Sequence, residues 1–311
     1  MDELADLRND PSSEATREHL DLTLASGESL LVAKAARLAT EFSLPELADP
    51  LAKAFDRFMD SEDKGCLAKA AVAAALIELE IDNVPLFLRG LRHVQYEGSY
   101  GGQQDVAAEL RAHCAVGLAN SGHGDAVVEL VRLLVDPENP PRIAAARGIG
   151  AVGGLEAEPV LRLKLLAGDE EPEVLTECCL GLLRLSPRRS LPFMEELLAD
   201  KEEIRREAVI LALGESRLPE AVPLLRGQWE HTFDRGLRRA ILLGLVSSRS
   251  DPALEFLFDL VAEGDRLAAA EAISALAVLR HNDKIHRQAK DAVEKSRFAK
   301  DLRQTLRREF R

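Results

Sequence analysis

The fold is decided by the stretch Ile204-Arg205-Arg206-Glu207-Ala208-Val209-Ile210-Leu211-Ala212-Leu213-Gly214. A second apolar segment, from Leu218 to Leu225, follows it after a short connection. The two segments predict a pair of helices packed back to back, because apolar residues recur in both at helical spacing. Close copies of this pair recur along most of the chain, so the pair is the unit of the fold.

The copies align on the small residue Ala212, where a helix needs room for its neighbour. The equivalent positions are Ala75, Gly117, Gly148, Gly181, Gly244 and Ala275, and a large aliphatic residue follows each of them. Successive positions are 42, 31, 33, 31, 32 and 31 residues apart. This near-constant period predicts an all-α fold, an α-solenoid of stacked antiparallel helix pairs.

Charged residues recur with the same period. Most copies have a basic residue six positions before the small residue and a carboxylate six positions earlier again. The best examples are Asp105 with Arg111, Asp136 with Arg142 and Asp200 with Arg206. We expect these pairs to form a ladder of charge-assisted hydrogen bonds along the stack.

These features resemble the HEAT repeat, in the short form of the bilin-lyase-like members. The matching residues are Leu197-Leu198-Ala199-Asp200, Ile204-Arg205-Arg206 and Ala212-Leu213-Gly214, and the resemblance covers roughly residues 30–296. It implies a superhelix of stacked helix pairs. It implies nothing about catalysis, because the matching residues are those that hold such a stack together.

The period divides the chain into three expected parts within one elongated domain. Residues 1–28 are a leader and a capping helix whose N-cap is Ser12 or Ser13. Residues 29–296 form the repeat solenoid, with about eight helix pairs. Residues 297–311 form a basic capping helix at the C-terminus.

Composition bounds the function. The net charge of −13 makes nucleic acid an improbable partner, although the residues from Arg280 onward hold eleven basic against five acidic side chains. No apolar run is long enough for a membrane helix, and no signal peptide is evident. The four cysteines fall in predicted helices, which favours a reducing cytoplasm.

The stretch 93–104 accounts for the additional residues in the one repeat that is longer than the others. We expect it to be a loop. It holds both tyrosines of the chain, Tyr96 and Tyr100, together with three glycines. Insertions in repeat proteins often lie on the binding face, so both tyrosines are candidate partner contacts. The alternative is a solvated surface loop without a function. No Lys-Ser or Lys-Thr pair follows the glycines, so the pattern is not that of a phosphate-binding loop.

Two further positions depart from the repeat pattern. Trp229, the single tryptophan, stands near His231 where the other copies end in an aspartate. The pair is a candidate partner contact, and the alternative is a core aromatic that fills a gap. Polar residues also interrupt a column of alanines at His113, Glu177 and Glu271, where they could line an inner groove.

No metal or cofactor site is expected. None of the seven histidines is followed by Glu, whereas a di-iron hydroxylase built on the same repeat carries paired His-Glu motifs. His281 and His286 are five residues apart, which is not the spacing that places two ligands on one helix face. Paired carboxylates in a cleft, as acid–base catalysis requires, are not evident either.

These observations favour a non-catalytic scaffold or adaptor. It would bind an unidentified protein partner on its concave face or through the 93–104 stretch. A bilin-lyase-like enzyme or chaperone is the alternative that the resemblance leaves open. A nucleic-acid-acting HEAT-like protein is a third hypothesis, which the acidic composition disfavours. The oligomeric state is left open by the sequence.

Overall fold

The computed structural model describes residues 7–11, 13–99 and 101–311. Within these residues it contains eighteen α-helices, several single 3₁₀ turns and one two-stranded β-hairpin. The helices stack as antiparallel pairs, which confirms the α-solenoid class predicted from the period. The chain divides into two compact units, Met1–Val160 and Leu161–Arg311.

The first unit contains the hairpin and eight complete helices. The helices are α1 (Glu14–Leu24), α2 (Ser29–Glu41), α3 (Ala48–Met59), α4 (Leu67–Glu78), α5 (Val84–Leu91), α6 (Ala108–Asn120), α7 (Ala126–Val131) and α8 (Asn139–Val152). The strands are β1 (Tyr96–Ser99) and β2 (Gly102–Asp105), and they lie between α5 and α6. Helix α1 begins after Ser13, whose hydroxyl accepts a hydrogen bond from the Thr16 amide. Ser12, the other candidate cap, lies outside the described residues.

Helix α9 (Ala157–Ala167) contains the division point, and the second unit continues with nine further helices. They are α10 (Pro172–Leu185), α11 (Pro187–Leu198), α12 (Glu203–Ser216), α13 (Ala221–His231), α14 (Arg235–Ser248), α15 (Asp251–Glu263), α16 (Arg266–Leu276), α17 (Asp283–Lys295) and α18 (Ala299–Glu309). The segment Ile204–Gly214 therefore forms most of α12, and the segment that ends at Leu225 forms the first five residues of α13.

Each unit has two layers of helices. In one layer, here called the small-residue layer, successive helices of the repeat pack directly on one another: α2, α4, α6 and α8 in the first unit, and α10, α12, α14, α16 and α18 in the second. The aligned alanines and glycines lie on these helices. The remaining helices form the second layer, and each packs on its partner across a short connection.

Helices in the small-residue layer can approach closely where glycine, which has no side chain, lies at the contact. A Cβ atom added to Gly214 on α12 would lie 2.3 Å from the carbonyl oxygen of Gly244 on α14. Real Cβ atoms do not approach a backbone oxygen this closely, so the two helices could not cross at this separation with alanine at 214. A Cβ atom added to Gly244, the member of the aligned column at this crossing, would in turn lie 3.0 Å from the Ile210 carbonyl oxygen, so small residues are required here by the interhelical distance.

The formal charge differs sharply between the units. Residues 1–160 carry 27 acidic and 14 basic side chains, which gives −13, whereas residues 161–311 carry 26 of each. The first unit thus holds the whole net charge of the chain. Across the described helices, none combines the length and the apolar character needed to cross a bilayer.

Candidate functional site

The 93–104 stretch forms an antiparallel hairpin, which corrects the expectation of a loop. Tyr96 pairs with Asp105, and Ser99 lies opposite Gly102. Gly101 and Gly102 have φ angles of 107° and 154°, a region that residues with a Cβ atom rarely adopt. These two of the three glycines that suggested a loop therefore lie where the chain turns from one strand into the next.

The hairpin is tied to the helices through Gln95, just before β1. Its side-chain amide donates to the Asp63 carbonyl and to the Glu97 carboxylate, both at 2.7 Å. Its side-chain oxygen accepts from the buried ammonium of Lys69 at 2.7 Å. Its backbone binds both the Asp105 carboxylate and the Val106 amide. An isolated two-stranded hairpin is marginally stable in water, so these bonds account for the ordered strands.

A second attachment joins β1 to the start of α4. Gly65 and Cys66 both have positive φ angles, 68° and 53°. The Glu97 carboxylate accepts the Gly65 amide at 2.7 Å. This hydrogen bond is the main cause of the lowered pKa of Glu97, with a further contribution from Gln95. A left-handed backbone at a residue with a Cβ atom, such as Cys66, costs about 1–2 kcal/mol, and the neighbouring bond from β1 helps to hold this turn.

The base of the hairpin is joined to the next helix pair by Arg111 on α6. Its guanidinium donates to the Asp105 carboxylate at 2.7 Å and to the His93 carbonyl at 3.0 Å. It also forms two parallel bonds to the Asp136 carboxylate, at 2.8 and 2.9 Å. All three charged side chains are almost inaccessible to solvent. Burial alone would raise the pKa of Asp105, but hydrogen bonds from Ala107, Gln95 and Arg111 outweigh it, and the pKa is lowered.

Two other pairs of the expected ladder, those of Arg142 and Asp200, form with partners other than the expected ones. Arg142 donates to the backbone carbonyl of Asp136 and to the Asn139 side chain. Asp200 pairs with Arg205, in place of the expected Arg206. Adjacent helical residues point about 100° apart, so only one of two neighbouring arginines can face the turn that holds Asp200. The spacing alone does not determine which one.

The residues of β1 and its approach alternate between the body and the solvent, as side chains of an extended strand do. His93, Gln95 and Glu97 are half-buried, whereas Val94 and Tyr96 are 50% and 62% exposed. Tyr100, the other predicted contact, lies outside the described residues. The rigid network thus holds one apolar and one aromatic side chain out in water.

A third exposed apolar side chain adjoins the same buried group in sequence. Val135 is 78% exposed and precedes Asp136. A single guanidinium, that of Arg111, binds both the His93 carbonyl and the Asp136 carboxylate, so Val94 and Val135 are each next in sequence to a residue that it binds. We call Val94, Tyr96 and Val135 the hairpin patch.

Trp229 and His231, the other predicted contacts, belong to the second unit. Trp229 is only 7% exposed, and the guanidinium of Arg238 stacks over its ring at 4.0 Å. Its environment is that of a core aromatic that closes the gap between α13 and α14. His231 is exposed, and its ring nitrogen Nδ1 lies 2.7 Å from the Gly227 carbonyl in the preceding turn of α13.

A cavity of about 370 Å³ opens in the small-residue layer of the first unit. His113 lines it with Glu78, Glu109 and several alanines, so this polar position of the alanine column does face a groove. Burial lowers the pKa of His113, and Glu109 and Glu78 oppose the shift. The imidazole is therefore neutral at neutral pH and can act as a hydrogen-bonding group.

The thiols of the described cysteines are buried and free. Burial raises the pKa of Cys66 and Cys178 to about 12 and also raises the pKa of Cys114 and Cys179. A thiol reacts as its thiolate, so these four groups are weak nucleophiles near neutral pH. In the part of the chain that the structure describes, no three His, Cys, Asp or Glu side chains group as metal ligands.

Sequence reasoning missed two of the residues that make the site. Gln95 and Glu97 belong to no periodic column of charge pairs, whereas Lys69 stands in the basic column, six positions before Ala75. One signal was present, because Val94-Gln95-Tyr96-Glu97 alternates apolar and polar residues with the period of a strand. The glycines that follow were read as a loop, and this masked the alternation.

Comparison with known proteins supports the repeat assignment. The HEAT-repeat family model matches residues 141–214, 161–245 and 202–277. No curated protein sequence matches the chain.

Three solved structures are among those that match this chain. The complex of CpcE and CpcF of phycocyanin lyase from Nostoc sp. PCC7120 has 19% identity, covers 92% of this chain and 94% of its own, and has a TM-score of 0.40. An engineered protein has 17% identity, with 99% and 94% coverage and a TM-score of 0.39. Human deoxyhypusine hydroxylase in complex with glycerol has 16% identity, with 91% and 95% coverage and a TM-score of 0.30.

The matched repeats coincide with α8 to α16, the region in which the period is most regular. The resemblance drawn from the sequence is confirmed there by an independent match. Residues 141–277 of this chain match the HEAT-repeat model and form HEAT-type repeats.

Proposed function

We propose that this protein is a non-catalytic scaffold or adaptor that binds a partner protein through the hairpin patch. The observation that carries the proposal is the anchoring of the hairpin by Gln95, which places an exposed tyrosine on a rigid support. A pre-ordered contact loses little conformational entropy on binding, so more of its interaction energy appears as affinity.

The composition of the patch supports a protein partner. Tyrosine is enriched among the residues that dominate binding energy at interfaces. Val94 and Val135 add exposed apolar area next to the residues that Arg111 binds. The partner would fill this small apolar surface with a complementary side chain or shallow pocket.

The charge of the first unit specifies the partner further. Residues 1–160 carry −13, so an approaching basic surface is attracted and an acidic one repelled. The proposed partner therefore presents an apolar contact surrounded by basic side chains. The same field opposes nucleic acid. Free buried thiols suit a reducing compartment, and we place this function in the cytoplasm.

The test is site-specific crosslinking followed by a binding measurement. A photoreactive amino acid at Tyr96 identifies the captured protein in cells, and the purified partner is then titrated against wild type and variants. Tyr96→Ala is expected to weaken binding about tenfold or more, as truncation of an interface hot spot does. Phe233→Ala is the matched control, because Phe233 is an 87% exposed aromatic in the other unit.

Equal affinity of wild type and Tyr96→Ala for the crosslinked partner would contradict the proposal. So would an equal loss in Phe233→Ala, since this would indicate non-specific adhesion. Bilin-type absorbance on co-expression would favour the lyase or chaperone alternative, and salt-sensitive retention on DNA would favour a nucleic-acid-acting protein.

A further inference from the structure

A second surface, formed by α14, α16 and α18 in the second unit, carries an excess of positive charge. Two adjoining cavities of about 560 and 650 Å³ open there and share Ala270, Thr305 and Arg308 in their walls. The rim of this continuous groove contains Arg235, Arg239, Arg266, Arg307, Arg308 and Arg311. We call it the arginine groove.

The acids in the groove do not neutralise these arginines. Three carboxylates line it, from Glu271, Asp301 and Glu309, against six guanidinium groups. Arg266 pairs with Asp301 at 3.4 Å, and Arg308 pairs with Glu309 at 2.7 Å. The surplus of three positive charges lies on the groove even though the unit as a whole is neutral.

The floor of the groove is apolar. Leu242, Leu243, Ala270, Ala275 and Val278 line it between the arginines. Val278 is exposed, and Ala270 is the kind of small residue that lets an occupant approach the helix closely. A ligand that is only a polyanion would leave this floor uncovered, whereas an amphipathic segment would cover it while its carboxylates meet the rim.

We propose that the arginine groove binds an acidic, amphipathic peptide segment of a partner protein. Guanidinium groups bind carboxylates through paired, planar hydrogen bonds, and the apolar floor takes up aliphatic side chains between them. This surface is independent of the hairpin patch, which lies in the other unit and attracts the opposite charge. The proposal therefore gives the scaffold two contacts of different specificity.

The groove suits a peptide better than nucleic acid. Among the described residues, no aromatic side chain lines either cavity, and unstacked bases are usually held on aromatic rings. The net charge of −13 also repels a long polyanion more strongly than a short acidic segment.

The test uses the full-length protein and a fluorescein-labelled peptide of about fourteen residues in which acidic pairs alternate with leucine. Fluorescence anisotropy compares wild type with Arg235→Glu/Arg239→Glu and with the control Lys284→Glu/Lys290→Glu. The control makes the same charge change at exposed positions of α17 that do not line the groove. We expect the groove variant to bind about tenfold or more weakly and the control to stay within about threefold of wild type.

A second peptide, with serine in place of leucine, has equal charge and is expected to bind about tenfold more weakly than the first. All three proteins should show the same thermal unfolding, because every changed side chain is exposed. Equal binding by the groove variant and wild type would overturn the proposal, as would equal loss in the control.

Two other results would overturn the proposal of a peptide ligand, because each would identify a different occupant of the arginine groove. If a single-stranded oligonucleotide of equal charge binds more tightly than the peptide, the groove is a nucleic-acid site. If sedimentation shows that wild type self-associates and the groove variant does not, the occupant is a second copy of this chain.

Discussion

The distance between α12 and α14 is possible only because Gly214 has no side chain. Gly214 faces the backbone of Gly244, and an added methyl group would overlap its carbonyl oxygen. Gly214→Ala is expected to destabilise the fold by about 1–3 kcal/mol, because the helices must move apart. Urea unfolding followed by circular dichroism measures this change.

Gly227 on α13 provides the matched control, since nothing lies within 4 Å of an added Cβ atom there. Gly227→Ala is expected to stabilise the protein by about 0.5–1 kcal/mol, because alanine loses less conformational entropy in a helix. If the two substitutions changed stability equally, the claim that helix contact requires glycine at 214 would be wrong.

Gln95 is the residue on which the hairpin depends. Gln95→Leu removes the 2.7 Å acceptor of the buried Lys69 ammonium and the donor to the Asp63 carbonyl. Leaving such groups unsatisfied costs about 1–3 kcal/mol, so the midpoint of urea unfolding should fall accordingly. Gln103→Leu is the control, because Gln103 lies in β2 with an exposed side chain. Comparable effects of both changes would contradict the role given to Gln95.

At the scale of elements, the buried group around Arg111 joins the hairpin to two helix pairs. Arg111→Leu leaves the carboxylates of Asp105 and Asp136 buried without their cation, and such a loss costs about 3–5 kcal/mol. Arg303→Leu removes an arginine from a solvent-exposed pair with Glu294, and water screens that pair, so a much smaller loss of stability is expected. Chemical unfolding of both variants decides the point. A small effect of Arg111→Leu would mean that the ion pairs of Arg111 do not stabilise the packing of the hairpin on the helices.

The same group predicts the direction of the pH dependence. The pKa of Asp105 is lowered in the folded protein, so its stabilising contribution is complete above its unfolded pKa of about 3.9. That contribution is lost as the pH falls through the lower, folded pKa. Urea unfolding at pH 7, 5 and 3 should show a steeper acid loss in wild type than in Asp105→Asn. Asp125→Asn, at an exposed carboxylate, should follow wild type, and parallel curves for all three proteins would contradict the assignment.

Some of these elements could be predicted from sequence and others could not, for physical reasons. The helices and their small contacts follow from a period that many copies repeat, so errors at one copy are corrected by the others. The hairpin occurs once, and its anchors Gln95 and Lys69 are 26 positions apart in the sequence and meet only when the chain has folded. The partner of Asp200 was misassigned because it depends on the helical phase of α12, which shifts by about 100° per residue.

At the scale of the whole molecule, charge separates the two units. The first unit carries −13 and displays the hairpin patch, whereas the second is neutral and holds the arginine groove. The positive excess near the C-terminus is visible in the sequence, where it predicts only a basic capping helix. The groove also draws Arg235 and Arg239 from α14, which are distant in sequence and close only in the fold.

Hydrogen exchange of the backbone amides that bind the hairpin tests most directly whether the helices hold the hairpin in one conformation. The Gly65 amide donates to Glu97 and the Val106 amide donates to Gln95, so both are predicted to exchange far more slowly than unstructured peptide amides. In Gln95→Leu both should lose this protection, while the amides in the interior of α12 keep theirs. Exchange of both amides at the unstructured rate in the wild-type protein would contradict the account.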